Sequence, residues 1–228
     1  RPSRVRLPRS ATLRALGSSS GYIHRVILAQ AGLSAVLGYI LGMAIAMLVV
    51  FFTQNTRHCH KLKLYKLLHF LDFEIYRQTG KTTTGLPYFA YPMGPVPKQL
   101  QSEFRSPPAD MRAAMTVHLA STDSDHDGPL TVYPKIVFDR NKFTKREMKE
   151  MERLAEIYRE AKGGLMSKAS HGRSHRHGFP WYQVHDVEGR EWAEIPYVHA
   201  LDGQLGSITK EQADEIDEES QVLAALFG

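Results

Sequence analysis

The chain has a single cysteine, Cys59, among its 228 residues. One cysteine excludes an intrachain disulfide, and it excludes a zinc site built from cysteines of this chain alone. The catalytic signatures G-x-S-x-G and H-E-x-x-H are also absent from the sequence. Lys81 and Thr82 share letters with a phosphate-binding loop, but Ile75 stands where that loop requires its first glycine. The sequence therefore predicts a protein that is not an enzyme and that carries no cofactor.

Acidic residues are missing from the first third of the chain. None precedes Asp72, whereas residues 1–71 contain ten lysines and arginines. The formal net charge of +5 therefore hides a basic N-terminal part and an acidic remainder. Residues 1–21 are rich in arginine and serine, a composition typical of an organellar transit peptide. Because the positive charge flanks an apolar segment, it does not indicate a nucleic-acid partner.

Formal charge of either sign is missing from Val26 to Thr56, and the residues up to Phe52 are apolar almost throughout. A helix of that length extends about 40 Å at about 1.5 Å per residue, and the hydrocarbon core of a bilayer is about 30 Å thick. The sequence therefore predicts one transmembrane helix over residues 22–57. Both flanks are basic, so the charge rule leaves the orientation open.

Small residues recur at every fourth position of this predicted helix, at Ser34, Gly38, Gly42 and Ala46. This spacing places them on one helix face. Small side chains allow another helix to approach closely in a lipid environment. We therefore expect these four residues to pack against a neighbouring membrane helix.

The rest of the chain divides into three segments. Residues 58–78 combine leucines at helical spacing with lysines at the start, which predicts a juxtamembrane amphipathic helix whose lysines contact lipid headgroups. Residues 79–108 are rich in proline and glycine and are predicted to be extended. Residues 109–228 are predicted to form a soluble region with helices near 144–162 and 210–226.

Two capping boxes mark the starts of those helices. Thr144 precedes Glu147 by three residues, and Thr209 precedes Gln212 by the same spacing. The predicted fold class is mainly α: a single N-terminal transmembrane helix, then an amphipathic helix and an extended, loop-rich α+β soluble region.

The segment beginning at Asp123 resembles the first part of an EF-hand calcium loop. Asp123, Asp125 and Asp127 match the first three ligand positions, and Gly128 matches the turn glycine. The resemblance implies calcium ligation by these three carboxylates. The last ligand position, which in the family is a bidentate glutamate, is Pro134 here. An acidic surface turn is the alternative interpretation.

A histidine-rich stretch is a second candidate for metal binding. His171, His175 and His177 lie close together, and neutral imidazoles suit zinc or copper. Arg173 and Arg176 lie between them, and their charge opposes a cation. A solvated loop is the simpler interpretation.

Together these patterns support a structural hypothesis. The sequence predicts a single-span accessory subunit of a large mitochondrial inner-membrane complex, either a respiratory complex or ATP synthase, with a plastid membrane as the alternative location. Its expected partners are the other subunits of that complex and membrane lipids, without nucleic acid. The alternative function is that of a membrane-anchored calcium-binding protein.

Overall fold

The computed structural model describes residues 20–119, 130–171, 179–201, 203 and 206–227. The predicted basic segment 1–21 therefore lies almost wholly outside the described residues. The calcium-loop carboxylates, Asp123, Asp125 and Asp127, also lie outside them, as do His175 and His177.

The described chain is mainly helical, with two small β-hairpins. In chain order its elements are α1 (Ser20–Asn55), α2 (Lys61–Thr79), β1 (Phe89–Tyr91), β2 (Gly94–Val96), α3 (Lys98–Arg105), α4 (Ala109–Ala114), β3 (Met115–Leu119), β4 (Leu130–Pro134), a 3₁₀ turn (Arg140–Lys142), α5 (Lys145–Ile157), α6 (Gly163–Ala169), α7 (Phe179–Tyr182), a π-helical turn (Gln183–Val187), a second 3₁₀ turn (Tyr197–Ala200) and α8 (Lys210–Phe227). Both hairpins are antiparallel, with Phe89 opposite Val96 and Met115 opposite Pro134.

Helix α2 is the centre of the fold. It packs against α1, α5, α6, β2 and the second 3₁₀ turn, and Leu64, Leu67, Leu68 and Leu71 on it are fully buried. Leucines on more than one side of a helix require neighbours all around it, and these elements supply them. The sequence predicted the helix but assigned it to a lipid surface. The structure corrects that assignment, because Lys63 and Lys66 are buried among protein groups rather than directed at headgroups.

The C-terminal part of α1 also belongs to this core. Residues 45–52 are buried, with Leu48, Val49, Val50 and Phe52 fully so, and α1 packs against α4, α2, α5 and β4. Among the residues that the structure describes, no helix is both long enough and apolar enough to cross a bilayer. The prediction of a transmembrane helix over 22–57 is therefore wrong, and so is the fold class built on it. The apolar residues of its last two turns are buried by this chain's own elements.

Gly42 is one of the small residues predicted to face another helix. A Cβ at this position would lie 1.6 Å from Asp110 Oδ2, so the carboxylate of α4 occupies the space that a side chain would take. Ala46, one turn further on, is fully buried in the same core. The side chain of Ser34 and the surroundings of Gly38 lie outside the described part of the chain. Packing of this face against a second protein stays a prediction, but Gly42 already has a neighbour within the chain.

Both predicted capping boxes are confirmed. Thr144 Oγ1 accepts from the backbone of Glu147 at 3.2 Å, and Glu147 accepts from the backbone of Thr144 at 2.7 Å. Thr209 and Gln212 make the equivalent pair at 3.2 and 2.9 Å. These bonds satisfy amide groups that have no partner inside the helix.

Candidate functional site

Helix α2 carries an unusual number of buried ionisable side chains. Such side chains are almost never fully buried unless they are paired. Apart from the phenol of Tyr65, there are six: Lys63, Lys66, His69, Asp72, Glu74 and Arg77. Lys66, His69 and Asp72 are spaced three residues apart, so they lie along one side of the helix.

Asp72 is the most completely hydrogen-bonded of the six. Its carboxylate accepts from the backbone amides of Thr83 and Thr84 at 2.9 and 2.8 Å, from the hydroxyl of Thr84, and from the hydroxyl of Tyr88 at 2.7 Å. The Thr84 hydroxyl oxygen in turn accepts from the amide of Leu86 at 3.1 Å. Asp72 thereby fixes the turn that leads from α2 into β1.

The charge of Asp72 is strongly affected by its position. Burial raises the pKa of Asp72 to about 6, although the hydrogen bonds from Thr84, Tyr88 and Thr83 oppose that rise. The carboxylate is neutralised slightly below neutral pH, because removal from water disfavours its charged form more than four donors favour it. Burial also raises the pKa of Tyr88 far above its usual value, so the phenol remains a hydrogen-bond donor.

Lys63 joins the ends of two helices. Its ammonium donates to the carbonyl oxygens of Arg57, Arg159 and Ala161 at 2.6, 3.1 and 2.9 Å. These carbonyls follow the C-termini of α1 and α5, where helix dipoles favour a cation. Lys63 is therefore a structural cation, and burial lowers its pKa.

Lys66 lies in a polar cluster beneath the first hairpin. It is fully buried, and its Nζ donates to the carbonyl of Pro95 at 3.0 Å. Gly94 has a φ of +94°, and a Cβ there would lie 2.5 Å from Ser170 Oγ, 2.6 Å from Lys66 Nζ and 2.8 Å from His171 Nε2. Three polar atoms therefore converge on the face of Gly94, and only glycine fits this position. Burial lowers the pKa of Lys66 well below its usual value.

An aromatic stack connects this cluster to the C-terminal part of the chain. The ring of Trp181 lies between the rings of His171 and His185, with centroids 4.0 and 4.2 Å away and nearly parallel planes. Burial and the nearby Lys66 lower the pKa of His171. The indole nitrogen of Trp181 donates to the carbonyl of Tyr91 at 2.9 Å. The buried polar groups and this stack therefore hold both strands of the hairpin in place.

Aromatic side chains meet at the outer edge of the hairpin, where Phe89 and Tyr91 are partly buried and Trp192 is exposed. Trp192 is 51% exposed and meets Tyr91 edge-on, with ring centroids 4.3 Å apart. Lys98 Nζ lies 3.9 Å above the ring of Phe89 and 5.8 Å from that of Tyr91, within range for cation–π attraction. We call Phe89, Tyr91, Lys98 and Trp192 the aromatic patch.

Trp192 is held in a strained conformation. Its φ of +65° lies in the left-handed region, which a bulky residue adopts only at a cost of about 1–3 kcal/mol. The backbone is kept there by two hydrogen bonds with Ala90, since Trp192 N donates to Ala90 O and Ala90 N donates to Ala193 O, each at 2.8 Å. The fold thus maintains a strained backbone that presents a large indole to the outside.

Both predicted metal sites stay predictions, because the carboxylates of the calcium loop and two of the three histidines of the histidine-rich stretch lie outside the described residues. His171 is placed in the aromatic stack, and Cys59 is a free, half-buried thiol near the end of α1. No group of three or more histidine, cysteine, aspartate or glutamate side chains that could hold a metal ion occurs in the described ranges.

Sequence reasoning missed Lys66, His69, Asp72 and Trp192. The three residues of α2 could have been noticed, because ionisable groups at three-residue intervals interrupt its apolar faces. The partners of Lys66 and Asp72 lie 11 to 105 residues away in the chain, so no local pattern reveals them. Trp192 has no local signal either, since its strain depends on pairing with β1.

The family model of the antitoxin SocA-like Panacea domain matches residues 64–177, which is half of the chain. The chain therefore belongs to this family. The matched range begins on α2 and includes the Asp72 network, the Lys66 cluster and all of the aromatic patch except Trp192. No curated protein and no solved structure shows a significant match.

Membership in an antitoxin-like family corrects the functional hypothesis drawn from the sequence. The predictions of an accessory subunit of a respiratory complex or ATP synthase, and of a mitochondrial inner-membrane or plastid-membrane location, are wrong. The calcium-binding alternative has no support from the family. The error arose from the long apolar segment, because an uncharged helix can be enclosed by protein as well as by lipid.

Proposed function

We propose that this Panacea-domain protein acts as the antitoxin-like member of a two-protein pair, binding a toxin-like partner and keeping it inactive. The observation that carries the proposal is the family match over residues 64–177. The role is one of binding, and it includes no catalytic step by this chain. We expect the partner to be a protein and not a nucleic acid, and this stays a prediction. The expected protein is a toxin, in place of the subunits of a membrane complex.

The aromatic patch is the surface best suited to that binding. Tryptophan and tyrosine are enriched among the residues that dominate binding energy at protein interfaces. Trp192 and Tyr91 already contact each other, and the buried cluster beneath the hairpin restrains the backbone that carries them. A preformed surface loses little conformational entropy on binding. Strain retained at an exposed indole is also typical of a functional surface.

The test has two stages and uses the full-length chain. A photo-crosslinking residue at position 98, inside the patch, first identifies the protein that contacts it in the host cell. The captured protein is then expressed in a bacterium alone and together with this chain. We expect growth arrest in the first case and restored growth in the second.

The variant Trp192→Ala is expected to abolish the rescue, because truncating a central indole at an interface costs about 2 kcal/mol or more. Val222→Ala is the matched control, since Val222 is 57% exposed on α8 and is not part of the patch. A captured protein that does not arrest growth would contradict the proposed function. Full rescue by Trp192→Ala would instead show that the aromatic patch is not the surface that binds the partner.

A further inference from the structure

A groove runs along the exposed side of α5, apart from the aromatic patch. It consists of two adjoining cavities of about 360 and 450 Å³. Both cavities are lined by Arg140, Met148 and Glu152. Each volume falls within the range of about 300–1,000 Å³ that is typical of ligand pockets.

The floor of the groove is apolar. Phe138 lies between two other phenylalanines, with ring centroids 5.1 Å from Phe51 and 5.6 Å from Phe143. Met148 and Ala155 on α5 complete the floor and are 6% and 5% exposed. On the same helix Lys149, which lines only the 450 Å³ cavity, and Glu156, which lines only the 360 Å³ cavity, are seven residues apart, so the two cavities are about 10 Å or two helical turns apart.

The rim of the groove is charged, with an excess of positive side chains. Four basic residues face two acidic ones: Arg140, Lys145, Lys149 and Arg159 against Glu152 and Glu156. Arg140 and Glu152 form an ion pair of 2.9 Å that separates the two cavities. The two side chains are 67% and 52% exposed, so water screens this pair and it opens readily.

We propose that this groove binds an acidic amphipathic helix of a partner protein. Two apolar side chains of that helix, two turns apart, enter the two cavities. A carboxylate between them replaces Glu152 on Arg140, which joins the cavities into one groove. From Lys145 to Glu156 the lined face of α5 is about 17 Å long, which a partner helix of about 14 residues covers. The inference does not depend on the neutralising role proposed above, since its residues are separate from the aromatic patch.

The probe is a synthetic fluorescent peptide of about 14 residues, helix-prone, with two leucines seven positions apart and glutamates beside them. A control peptide carries lysine in place of each glutamate. Fluorescence anisotropy with the full-length chain is expected to give a micromolar Kd for the glutamate peptide. The lysine peptide is expected to bind at least tenfold more weakly.

Three variants of the chain locate the binding. Arg140→Glu is expected to weaken binding of the glutamate peptide at least tenfold. Glu152→Gln is expected to strengthen that binding severalfold, because it frees Arg140. Lys162→Glu makes the same charge change as Arg140→Glu at an exposed position that does not line the groove, and we expect it to change the Kd less than twofold. All three positions are on the surface, so circular dichroism is expected to show a folded protein for each.

Several outcomes would overturn the proposal. They are no binding of either peptide, equal binding of both, or an equal effect of Arg140→Glu and Lys162→Glu. A second copy of this chain is another conceivable occupant. If sedimentation shows a dimer that Arg140→Glu dissociates, the groove is a self-association surface and the proposal is wrong.

Discussion

Replacing Asp72 tests the central claim that one buried carboxylate organises the turn between α2 and β1. Asp72→Ala would leave four donors without an acceptor, two amides and two hydroxyls. Each buried donor without a partner costs about 1–3 kcal/mol, so the sum is about 4–12 kcal/mol. That is comparable to the whole stability of a typical domain, about 5–15 kcal/mol. We therefore expect Asp72→Ala not to fold stably at 37 °C.

Asp72→Asn is the more informative variant. Its amide oxygen keeps an acceptor for the two backbone amides of Thr83 and Thr84, but its NH₂ group faces the hydroxyls of Thr84 and Tyr88, which both donate. Losing those two acceptor interactions costs about 2–6 kcal/mol. Removing the buried charge raises the free energy of unfolding by about 3 kcal/mol at neutral pH, since folding raises the pKa of Asp72 from 3.8 to about 6. The net change at pH 7 is therefore small to moderately destabilising.

The pH dependence separates this account from a purely steric one. Because the folded-state pKa of Asp72 lies above its unfolded value, the folded protein binds the extra proton, and its stability rises as the pH falls between about 6 and 3.8. Between pH 7 and pH 5 this group adds about 1 kcal/mol to the wild-type stability. Asp72→Asn lacks that gain, so its deficit relative to wild type grows by the same amount.

Urea unfolding followed by tryptophan fluorescence at pH 5, 6, 7 and 8 measures both effects. Tyr88→Phe serves as a control, because it removes one donor and leaves the carboxylate in place; we expect a loss of about 1 kcal/mol. Parallel pH profiles for wild type and Asp72→Asn would refute the reasoning. They would show that the carboxyl titrates alike in folded and unfolded chains.

Three further predictions follow from other contacts. Lys66→Met is expected to reduce the expected rise in stability with pH and to leave the smaller part due to Lys63, because the folded-state pKa of both lysines is depressed and that of Lys66 more strongly; urea unfolding at pH 7–10 measures this. Gly42→Ala is expected to lower stability by about 1–3 kcal/mol in thermal unfolding, because its Cβ collides with Asp110, and Asp110→Ala is expected to restore most of the loss. Trp192→Gly is expected to be about 1 kcal/mol more stable than Trp192→Ala in urea, since both variants lose the indole and only glycine relieves the positive φ; equal stability of the two would refute the claim of strain.

The clearest mismatch between sequence and structure concerns α1. Its length and lack of charge fit a membrane segment, and nothing local distinguishes the two cases. The packing of α4, α2, α5 and β4 around residues 45–52 shows that this part of the helix is enclosed by protein. Gly42 shows the same ambiguity, because a small residue on a helix admits any close neighbour, and here it admits Asp110.

The buried charges of α2 were misread for a related reason. Lysines at the start of an amphipathic helix usually face water or lipid headgroups. Lys63 is instead satisfied by carbonyls of Arg159 and Ala161, almost 100 residues away in sequence. A side chain's environment depends on such distant partners, and the sequence around Lys63 contains no trace of them.

Short-range features were determined by the sequence itself. The capping boxes at Thr144 and Thr209 and the existence of α2, α5 and α8 follow from hydrogen bonds and hydrophobic spacing within a few residues. Only the tertiary structure decided which apolar faces are enclosed, which donors reach Asp72 and that the indole of Trp192 is exposed. Those properties depend on contacts between segments far apart in the chain, where burial changes the energy of every charge and hydrogen bond it encloses.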